Sequence, residues 1–403
     1  MRVLSISVLF TLLLCGVGHA APNQSFADFL RNFEAKAVAE GIPRTVYRDA
    51  VKGLKPDPSI KVTQATQPEF EKPIWDYLTK RVTADRIKRG KAAIAKNKQL
   101  FEAVGQQYGV DPYLLGAIWG VETDFGAIMS NDRYFKPVLK SLFSLVHQRR
   151  QRVKLDAAEL IAALRIVAQK EATAKTLKGS WAGALGHLQI MPSAFLTHGT
   201  DFDGDGRRDP HKSLADALAS SAKWLLGLGY EVGSDWGYEV ELPVGFNYLE
   251  AGRTNVQPTL YFANLGVSRV KGRKFARLNE KVFLYIPAGR DGPKFLMTQN
   301  YLAIKGYNFA DSYALTVAHL TDRLKGSGSL HQSWPTATKF LNHKQRMQTQ
   351  KKLKALGYYN DKLDGRLGPI SQQALRNWQS KNGYLADGFA TLSVYDALMK
   401  SSN

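Results

Sequence analysis

Residues 111–126 read DPYLLGAIWGVETDFG, and this stretch decides what kind of fold the chain can adopt. Asp111 can cap a helix whose first position is a proline, so the stretch predicts a helix start. Wound at about 100° per residue, the helix places Glu122 between Ile118 and Leu115 on its apolar face. Burial there would disfavour the charged form of the carboxyl group and raise its pKa. Glu122 is therefore a candidate general acid, and the alternative is that it turns to water at the helix end.

A second stretch, residues 179–193, reads GSWAGALGHLQIMPS and has the residue types of a ligand-binding loop. Its glycines allow the backbone to approach a ligand closely. Trp181 offers a flat apolar face on which a sugar ring can stack, and Ser180 and Gln189 can hydrogen-bond hydroxyl or N-acetyl groups. The alternative is that the glycines serve tight helix packing and Trp181 belongs to the core. Alone, this stretch does not decide between the two.

The composition and the N-terminus narrow the class of protein. A length of 403 residues indicates two or three domains. The 55 Lys and Arg against 35 Asp and Glu give a formal charge of +20, which favours a polyanionic partner. An apolar run over residues 3–17 predicts a secretory signal peptide at residues 1–20, with an uncleaved anchor as the alternative. A lipoprotein signal is disfavoured because Leu14, not a small residue, precedes Cys15. Export in turn disfavours nucleic acid as the partner.

Helical periodicity dominates the chain after the signal peptide. Two short strands are predicted at residues 238–242 and 281–286, which alternate or are rich in β-forming residues. We therefore expect a mainly α fold with a few short β-strands. The predicted helices include residues 26–37, one long basic helix from Ala84 to Tyr108, and residues 155–169, 213–226 and 312–324.

The chain is predicted to divide into two domains. Residues 326–341 contain Gly, Ser and Pro and predict a short flexible linker between a domain at residues 21–325 and a module at residues 342–403. The module is basic, with ten Lys and Arg against four Asp, and carries a weak internal echo in which Asp-Gly pairs at 364 and 387 each precede a helix pattern. Its predicted three-helix core is Met347, Leu353, Leu356, Ala374, Leu375, Trp378, Val394 and Leu398.

Taken together, the motifs resemble those of a known family. The larger domain is similar, over about residues 26–325, to the lytic murein transglycosylases of the B type, glycoside hydrolase family 103. The C-terminal module resembles a peptidoglycan-binding domain of the three-helix type. The motifs that carry the first resemblance are WGVETDFG at 119–126, GSWAGALG at 179–186, QIMP at 189–192, WGYEV at 236–240, IPAGRDGPKF at 286–295, Tyr307-Asn308 and Tyr313-Ala314. Those that carry the second are LGYY at 356–359, LDG at 363–365, GP at 368–369, WQ at 378–379 and ADG at 386–388.

The resemblance implies a lysozyme-like catalytic domain in which Glu122 is the single acid/base. Glu122 would protonate the β-1,4 glycosidic oxygen between N-acetylmuramic acid and N-acetylglucosamine. It would then take a proton from the C6 hydroxyl of the muramoyl sugar, which closes a 1,6-anhydro ring. Neither a second catalytic carboxylate nor a catalytic cofactor is required. The family's substrate-binding positions correspond here to Ser180, Gln189, Tyr307, Asn308 and Tyr313.

This sequence departs from the family pattern close to those positions. His187 and Leu188 stand where the family usually has aromatic and polar residues, and Phe125 replaces a common Tyr. Residues 127–140 are also unlike the usual pattern. We expect these departures to alter the shape of individual sugar subsites and not the chemistry.

Residues 201–207 read DFDGDGR and match the first half of an EF-hand calcium loop, with carboxylates at positions 1, 3 and 5. The usual acid at position 12 is missing, and the resemblance implies that an aspartate at the start of the next helix closes the loop instead. We expect a structural Ca²⁺ here, and the alternative is a solvated acidic turn that caps that helix. The candidate ligands are Asp201, Asp203, Asp205, Arg207 and Asp216.

Two other functions remain open at this stage. One is a muramidase, in which an activated water attacks the sugar, and the other is a non-catalytic peptidoglycan-binding scaffold with a vestigial Glu122. In all three cases the partner is the peptidoglycan strand, whose lactyl and peptide carboxylates attract a basic protein. We expect the mature chain to be a periplasmic monomer without a transmembrane segment and without affinity for nucleic acid.

Overall fold

The computed structural model describes residues 24–60, 72–148 and 152–402, so the predicted signal peptide at residues 1–20 lies outside it. The described chain is mainly helical with a few short strands, which confirms the predicted fold class. Among the described residues, no helix is long and apolar enough to cross a bilayer. The helices are α1 (Phe26–Ala39), α2 (Arg44–Val51), α3 (Ile74–Arg81), α4 (Ala84–Lys96), α5 (Lys98–Tyr108), α6 (Pro112–Thr123), α7 (Val138–His147), α8 (Val153–Ala168), α9 (Pro192–His198), α10 (Leu214–Gly227), α11 (Thr259–Asn264), α12 (Gln299–Tyr307), α13 (Asp311–Lys325), α14 (His343–Ala355), α15 (Pro369–Lys381) and α16 (Leu392–Lys400).

Helix α6 begins where the sequence predicts. The carboxylate of Asp111 accepts the backbone N–H of Tyr113 at 2.9 Å, and Pro112 occupies the first helical position. Every residue from 114 to 120 is buried. Helices α4, α5 and α13 pack around α6 and form the main hydrophobic core. The helix that carries Glu122 is therefore enclosed by protein over most of its length.

The single long helix predicted from Ala84 to Tyr108 is wrong, because α4 and α5 meet at a break. Asn97 lies between them with φ −110°, and its side-chain amide donates to a carbonyl oxygen one turn earlier at 2.8 Å. An Asn side chain competes for backbone hydrogen bonds in this way, which apolar periodicity does not reveal. Across the break, Ile94 and Phe101 both reach α6 at Gly116, where an added Cβ would lie 2.5 Å and 3.8 Å from them.

A second core forms the N-terminal lobe. Helices α1, α2, α7, α8 and α9 enclose an aromatic cluster of Phe29, Phe33, Tyr47 and Phe143. The buried hydroxyl of Tyr47 donates to the carbonyl oxygen of Leu30 at 2.7 Å, which ties α2 to α1. Strands β1 (Lys136–Pro137) and β2 (Lys178–Gly179) pair beside this lobe. Their pairing brings the start of the 179–193 stretch next to α7.

A five-stranded antiparallel sheet forms a third core. Its strands are β3 (Gly237–Glu241), β4 (Gln257–Pro258), β5 (Ser268–Arg269), β6 (Lys281–Tyr285) and β7 (Lys294–Met297). Their order in the sheet is β4-β6-β7-β3-β5, and Tyr238 pairs with Leu296 in its centre. The two predicted strands are confirmed as β3 and β6, whereas β7 was not predicted, because its four buried residues neither alternate nor include a β-branched residue.

The segment at residues 326–341 is bound to the larger domain, so the predicted flexible linker is wrong. The buried carboxylate of Glu239 on β3 accepts the backbone N–H groups of His331 and Gln332, each at 2.9 Å. The buried Lys294 donates to the Gln332 side chain at 3.0 Å. The composition of the segment predicts flexibility. Burying the charges of Glu239 and Lys294 without hydrogen-bond partners would cost free energy, and the segment supplies partners to both.

The C-terminal module is a compact bundle of α14, α15 and α16. Five of the predicted positions are buried in its apolar core, namely Leu353, Ala374, Leu375, Trp378 and Leu398. Leu356 and Val394 are partly buried and pack against that core, whereas Met347 is not among its members. The internal echo has a structural counterpart. The Gln350 side-chain oxygen accepts the N–H of Gly365 at 2.8 Å, and the Gln379 oxygen accepts that of Gly388 at 2.8 Å. Each copy therefore fixes its Asp-Gly turn with a buried glutamine.

The second of these turns faces the larger domain. The backbone N–H of Arg290, in the turn between β6 and β7, donates to the carboxylate of Asp387 at 3.0 Å. A Cβ added at Gly289 would lie 2.6 Å from that carboxylate, so the Gly289 backbone closely approaches the Asp387 side chain. Phe389 packs against Trp75 with ring centroids 6.3 Å apart. The module is thus held against the larger domain by contacts of Asp387 and Phe389, in addition to the connecting segment.

Replacing Glu239 by Ala should release the connecting segment. The variant leaves two backbone N–H groups without their acceptor, so we expect about 1–3 kcal/mol less stability and faster protease cleavage within residues 326–341. Limited proteolysis with mass spectrometry measures the cleavage. The control is Glu102→Ala on α5, whose exposed carboxylate contacts Lys98 of the same helix at 3.6 Å and does not touch the segment. Equal cleavage of both variants would show that Glu239 does not hold the segment.

Candidate active site

The last turn of α6 brings Glu122 out of the core. Glu122 is half-buried, and the helix ends directly after it at Asp124, which has a left-handed φ of 54°. The carboxylate of Asp124 binds Arg86 at 3.2 Å and Arg89 at 2.8 Å, both from α4. Phe125 folds back over the helix and lies 2.5 Å from the position of a Cβ added at Gly120. The helix end is therefore fixed by ion pairs and by packing, and the Glu122 side chain on its last turn is half-buried.

Two buried tyrosine rings lie beside the Glu122 carboxyl group. Burial raises the pKa of Tyr313, on α13, well above its ordinary value, and the neighbouring Glu122 raises it further. Burial also raises the pKa of Tyr307, at the end of α12, to which the Glu122 charge adds. Both phenols remain neutral as a result. The structure thus brings two predicted pocket residues to the predicted acid.

The hydroxyl of Tyr307 also has a structural role that the sequence did not predict. It donates to the carbonyl oxygen of Leu188 at 2.8 Å and lies 2.9 Å from the hydroxyl of Ser221 on α10. Its ring packs on Trp224, with centroids 4.1 Å apart. Tyr307 therefore ties three elements together behind the site. The next residue, Asn308, is half-buried at the end of α12.

The 179–193 stretch forms a tight loop next to Glu122. The Ser180 hydroxyl accepts the N–H of Ala184 at 3.1 Å, which closes a turn, and Trp181 at its tip is 45% exposed. Gln189 adopts a left-handed φ of 54°, and its side-chain amide donates to the carbonyl oxygen of Gly186 at 2.8 Å. The exposure of Trp181 favours the predicted stacking surface over the alternative of a core residue. Ser180 and Gln189 shape the loop in addition to any contact with a ligand.

Residues 186–188 connect this loop to the rest of the site, and sequence reasoning missed these contacts. Thr123, directly after Glu122, donates its hydroxyl to the carbonyl oxygen of His187 at 2.7 Å. The indole N–H of Trp119 donates to Nδ1 of the same histidine at 3.1 Å. The only signal in the sequence was the departure from the family pattern at His187. A periodicity argument assigns Trp119 and Thr123 to a buried helix and does not identify their partner.

The acidic loop gathers three of the five candidate metal ligands. Carboxylate oxygens of Asp201, Asp203 and Asp205 lie within 4.8 Å of one another. The backbone N–H groups of Gly204 and Gly206 bind the Asp201 carboxylate at 2.8 and 2.9 Å. Both glycines have positive φ, and Gly206 stands at the sixth loop position, where an EF-hand turns sharply. Oxygen atoms in this arrangement suit a hard cation such as Ca²⁺.

Asp216 is not part of this cluster of three carboxylates. It is buried at the start of α10, and its two carboxylate oxygens accept the backbone N–H groups of Phe202 and Asp209, each at 2.8 Å. It therefore anchors both ends of the loop from beneath. Arg207 is exposed, and its N–H donates to Asp205 at 2.9 Å.

The fold and the site define a class of protein: a lysozyme-like helical domain with one carboxyl group at the end of a buried helix, joined to a small helical module. The family described as "Transglycosylase SLT domain" matches residues 25–322, and the chain belongs to this family. A second family, described as a peptidoglycan binding domain, matches residues 342–398. The resemblance found in the sequence is confirmed, and the chain is a lytic transglycosylase of peptidoglycan.

Known proteins of this kind are similar over most of the chain. SltB3 from Pseudomonas aeruginosa, in complex with NAG-anhNAM-pentapeptide, has a TM-score of 0.86 and 36% identity, covering 94% of this chain and 100% of that one. Membrane-bound lytic murein transglycosylase B of Escherichia coli K12 is 26% identical over 309 residues, 74% of this chain and 81% of the relative. The Escherichia coli transglycosylase Slt35 in complex with calcium shares the fold, with a TM-score of 0.60 at 23% identity, over 76% of this chain and 95% of that one.

Proposed function

We propose that Glu122 is the only acid/base of the reaction and that the product carries a 1,6-anhydro-N-acetylmuramic acid end. The observation that carries the proposal is the position of Glu122, fixed at the end of α6 beside two buried tyrosines. The nearest carboxylate along the chain, Asp124, is bound to Arg86 and Arg89. An ion-paired carboxylate of this kind is poorly suited to serve as a second catalytic group.

The reaction would proceed in two proton transfers through one group. Protonated Glu122 donates its proton to the glycosidic oxygen, and the C1–O bond of the muramoyl sugar breaks. The Glu122 carboxylate then accepts the proton of the C6 hydroxyl as O6 bonds to C1. Glu122 ends protonated, so the cycle closes without water.

The pocket residues would act on the sugars during these steps. Tyr307 and Tyr313 remain neutral beside Glu122 and would help to hold its carboxyl group in position for both proton transfers. Ser180, Gln189 and Asn308 offer polar atoms for sugar hydroxyl and N-acetyl groups, and Trp181 offers an exposed ring. The neighbour SltB3 in complexes with NAG-anhNAM-pentapeptide and NAG-NAM-pentapeptide supports sugar-peptide ligands of this size.

Replacing Glu122 by Gln should abolish turnover and leave the fold intact. Gln keeps the side-chain volume but neither donates nor accepts the required protons, so we expect a loss of roughly 10²–10⁴-fold or more. Release of muropeptides from murein, resolved by mass spectrometry, measures both rate and product. The wild type should release 1,6-anhydro ends.

Three results would contradict this proposal in different ways. Reducing muramic acid ends from the wild type would indicate a muramidase. Murein binding without turnover in the wild type would indicate a scaffold. Near wild-type release by a folded Glu122→Gln variant would place the acid elsewhere.

We further propose that the acidic loop binds a structural Ca²⁺ through the carboxylates of Asp201, Asp203 and Asp205 and the carbonyl oxygen of Arg207. Asp216 would complete the site by holding the loop from beneath. The bound ion would bring the three gathered carboxylates together without like-charge repulsion. It would take no part in bond cleavage.

Calcium should therefore raise the melting temperature of the protein. At a hundred times its dissociation constant the ion adds about 2.7 kcal/mol of stability. We expect Asp203→Asn to remove most of the shift, and the control Asp361→Asn, at an exposed position in the C-terminal module, to retain it. Differential scanning fluorimetry with calcium and with chelator measures it. A melting temperature that does not change when chelator is added would rule out the site.

The C-terminal module at residues 342–403 would raise the concentration of the enzyme on insoluble peptidoglycan. Its Lys351 and Lys354 are exposed on α14, and the peptidoglycan stems carry carboxylates. The catalytic domain would comprise residues 21–325, and residues 326–341 would connect it to the module. A signal peptide at residues 1–20 would direct export, so the mature chain would act in the periplasm, as a monomer.

Neutralising both lysines, Lys351→Gln with Lys354→Gln, should weaken binding to insoluble murein. Because solvent-exposed charges are screened by salt, the difference from wild type should be largest at low ionic strength and fade near 1 M. Sedimentation of murein with bound protein measures it, and turnover of a soluble fragment serves as the control. A difference that does not change with salt would contradict an electrostatic role.

A further inference from the structure

His187 joins the loop at residues 179–193 to the helix that carries Glu122, through both its ring and its backbone. Its Nδ1 accepts the indole N–H of Trp119 at 3.1 Å, and its carbonyl oxygen accepts the hydroxyl of Thr123 at 2.7 Å. Trp119 and Thr123 lie three residues before Glu122 and one residue after it. Two hydrogen bonds therefore fix His187 on either side of the proposed acid.

The backbone on both sides of the ring is fixed as well. The N–H of His187 donates to the carbonyl oxygen of Pro210 at 2.9 Å, and the carbonyl oxygen of Leu188 accepts the hydroxyl of Tyr307 at 2.8 Å. Gln189 follows directly in its left-handed conformation. The position of Gln189 relative to Glu122 thus depends on residues 187–188.

The environment of the ring keeps Nδ1 available as an acceptor. A Cβ added at Gly126 would lie 3.0 Å from both Cε1 and Nδ1 of His187, so backbone packs directly against the ring. Burial lowers the pKa of His187 to about 4, and the nearby His211 adds to this. The imidazole is therefore neutral at neutral pH. Because Nδ1 accepts the hydrogen bond from the indole N–H, the proton of the neutral imidazole is on Nε2.

We propose that His187 is a positioning residue for the transglycosylase reaction, which sets the distance between Glu122 and Gln189 through its hydrogen bond to Trp119. This proposal rests on the proposed role of Glu122. Its physical basis is that the acid and the sugar-binding loop come from different elements. Small displacements of a reacting group reduce the rate strongly, by as much as about 10²-fold for 1 Å.

The test compares two substitutions that differ in the acceptor. His187→Leu removes the acceptor and leaves an apolar side chain, whereas His187→Asn keeps an acceptor oxygen as many bonds from Cβ as Nδ1. We expect His187→Leu to lower kcat/KM on a soluble murein fragment by roughly 10- to 100-fold and His187→Asn by less than about threefold. Melting temperatures identify any variant that is merely unstable.

A double-mutant cycle tests whether the effect passes through the indole N–H. Trp119→Phe keeps an aromatic ring and removes the donor. If His187 acts through this bond, the double variant Trp119→Phe with His187→Leu should lose no more activity than the more affected single variant. The indole N–H signal of Trp119, assigned by NMR with the Trp119→Phe variant, should shift in His187→Leu and return toward its wild-type position in His187→Asn.

The proposal is overturned if His187→Leu cleaves as fast as the wild type, or if Leu and Asn reduce kcat/KM equally. Full additivity in the cycle would also overturn it, since the two side chains would then act independently. Each rate is compared with wild-type cleavage, so these outcomes do not depend on the ring closure. An active Glu122→Gln variant would instead refute the acid and leave the comparison at His187 readable.

Discussion

Helix α6 is surrounded by protein along residues 114–120, and its last turn must still present a carboxyl group to a sugar. A helix buried on all sides has little freedom to shift, because close-packed side chains resist displacement. The structure uses this rigidity to hold Glu122 at a fixed point. The ion pairs of Asp124 with Arg86 and Arg89 hold the residue that ends the helix.

The remaining parts of the site are assembled onto that helix end by buried polar contacts. Thr123 and Trp119 hold the loop of residues 179–193 through His187, and Tyr307 holds it through Leu188. Buried hydrogen bonds are directional, and leaving one unmade is costly, so together they specify one arrangement. A site built from several distant segments can in this way remain well ordered on a loop rich in glycine.

The contacts of the C-terminal module change how its role is understood. Composition alone predicts a tethered module that increases local concentration. The segment bound by Glu239 and the contact between Arg290 and Asp387 hold the module in one position relative to the catalytic domain. These contacts argue against a freely tethered module.

The sequence by itself determined the mainly helical class, the cap and start of α6, Glu122 as the candidate acid and the acidic loop, because these follow from local spacing and residue chemistry. It also determined the three-helix module through its apolar positions. Only the tertiary structure decided that Asn97 divides a helix, that residues 326–341 are bound, that Asp216 holds the acidic loop from beneath and that His187 contacts Trp119. Each depends on partners distant in the sequence or on a side chain that competes for backbone hydrogen bonds. Periodicity and motif spacing carry no information about such partners.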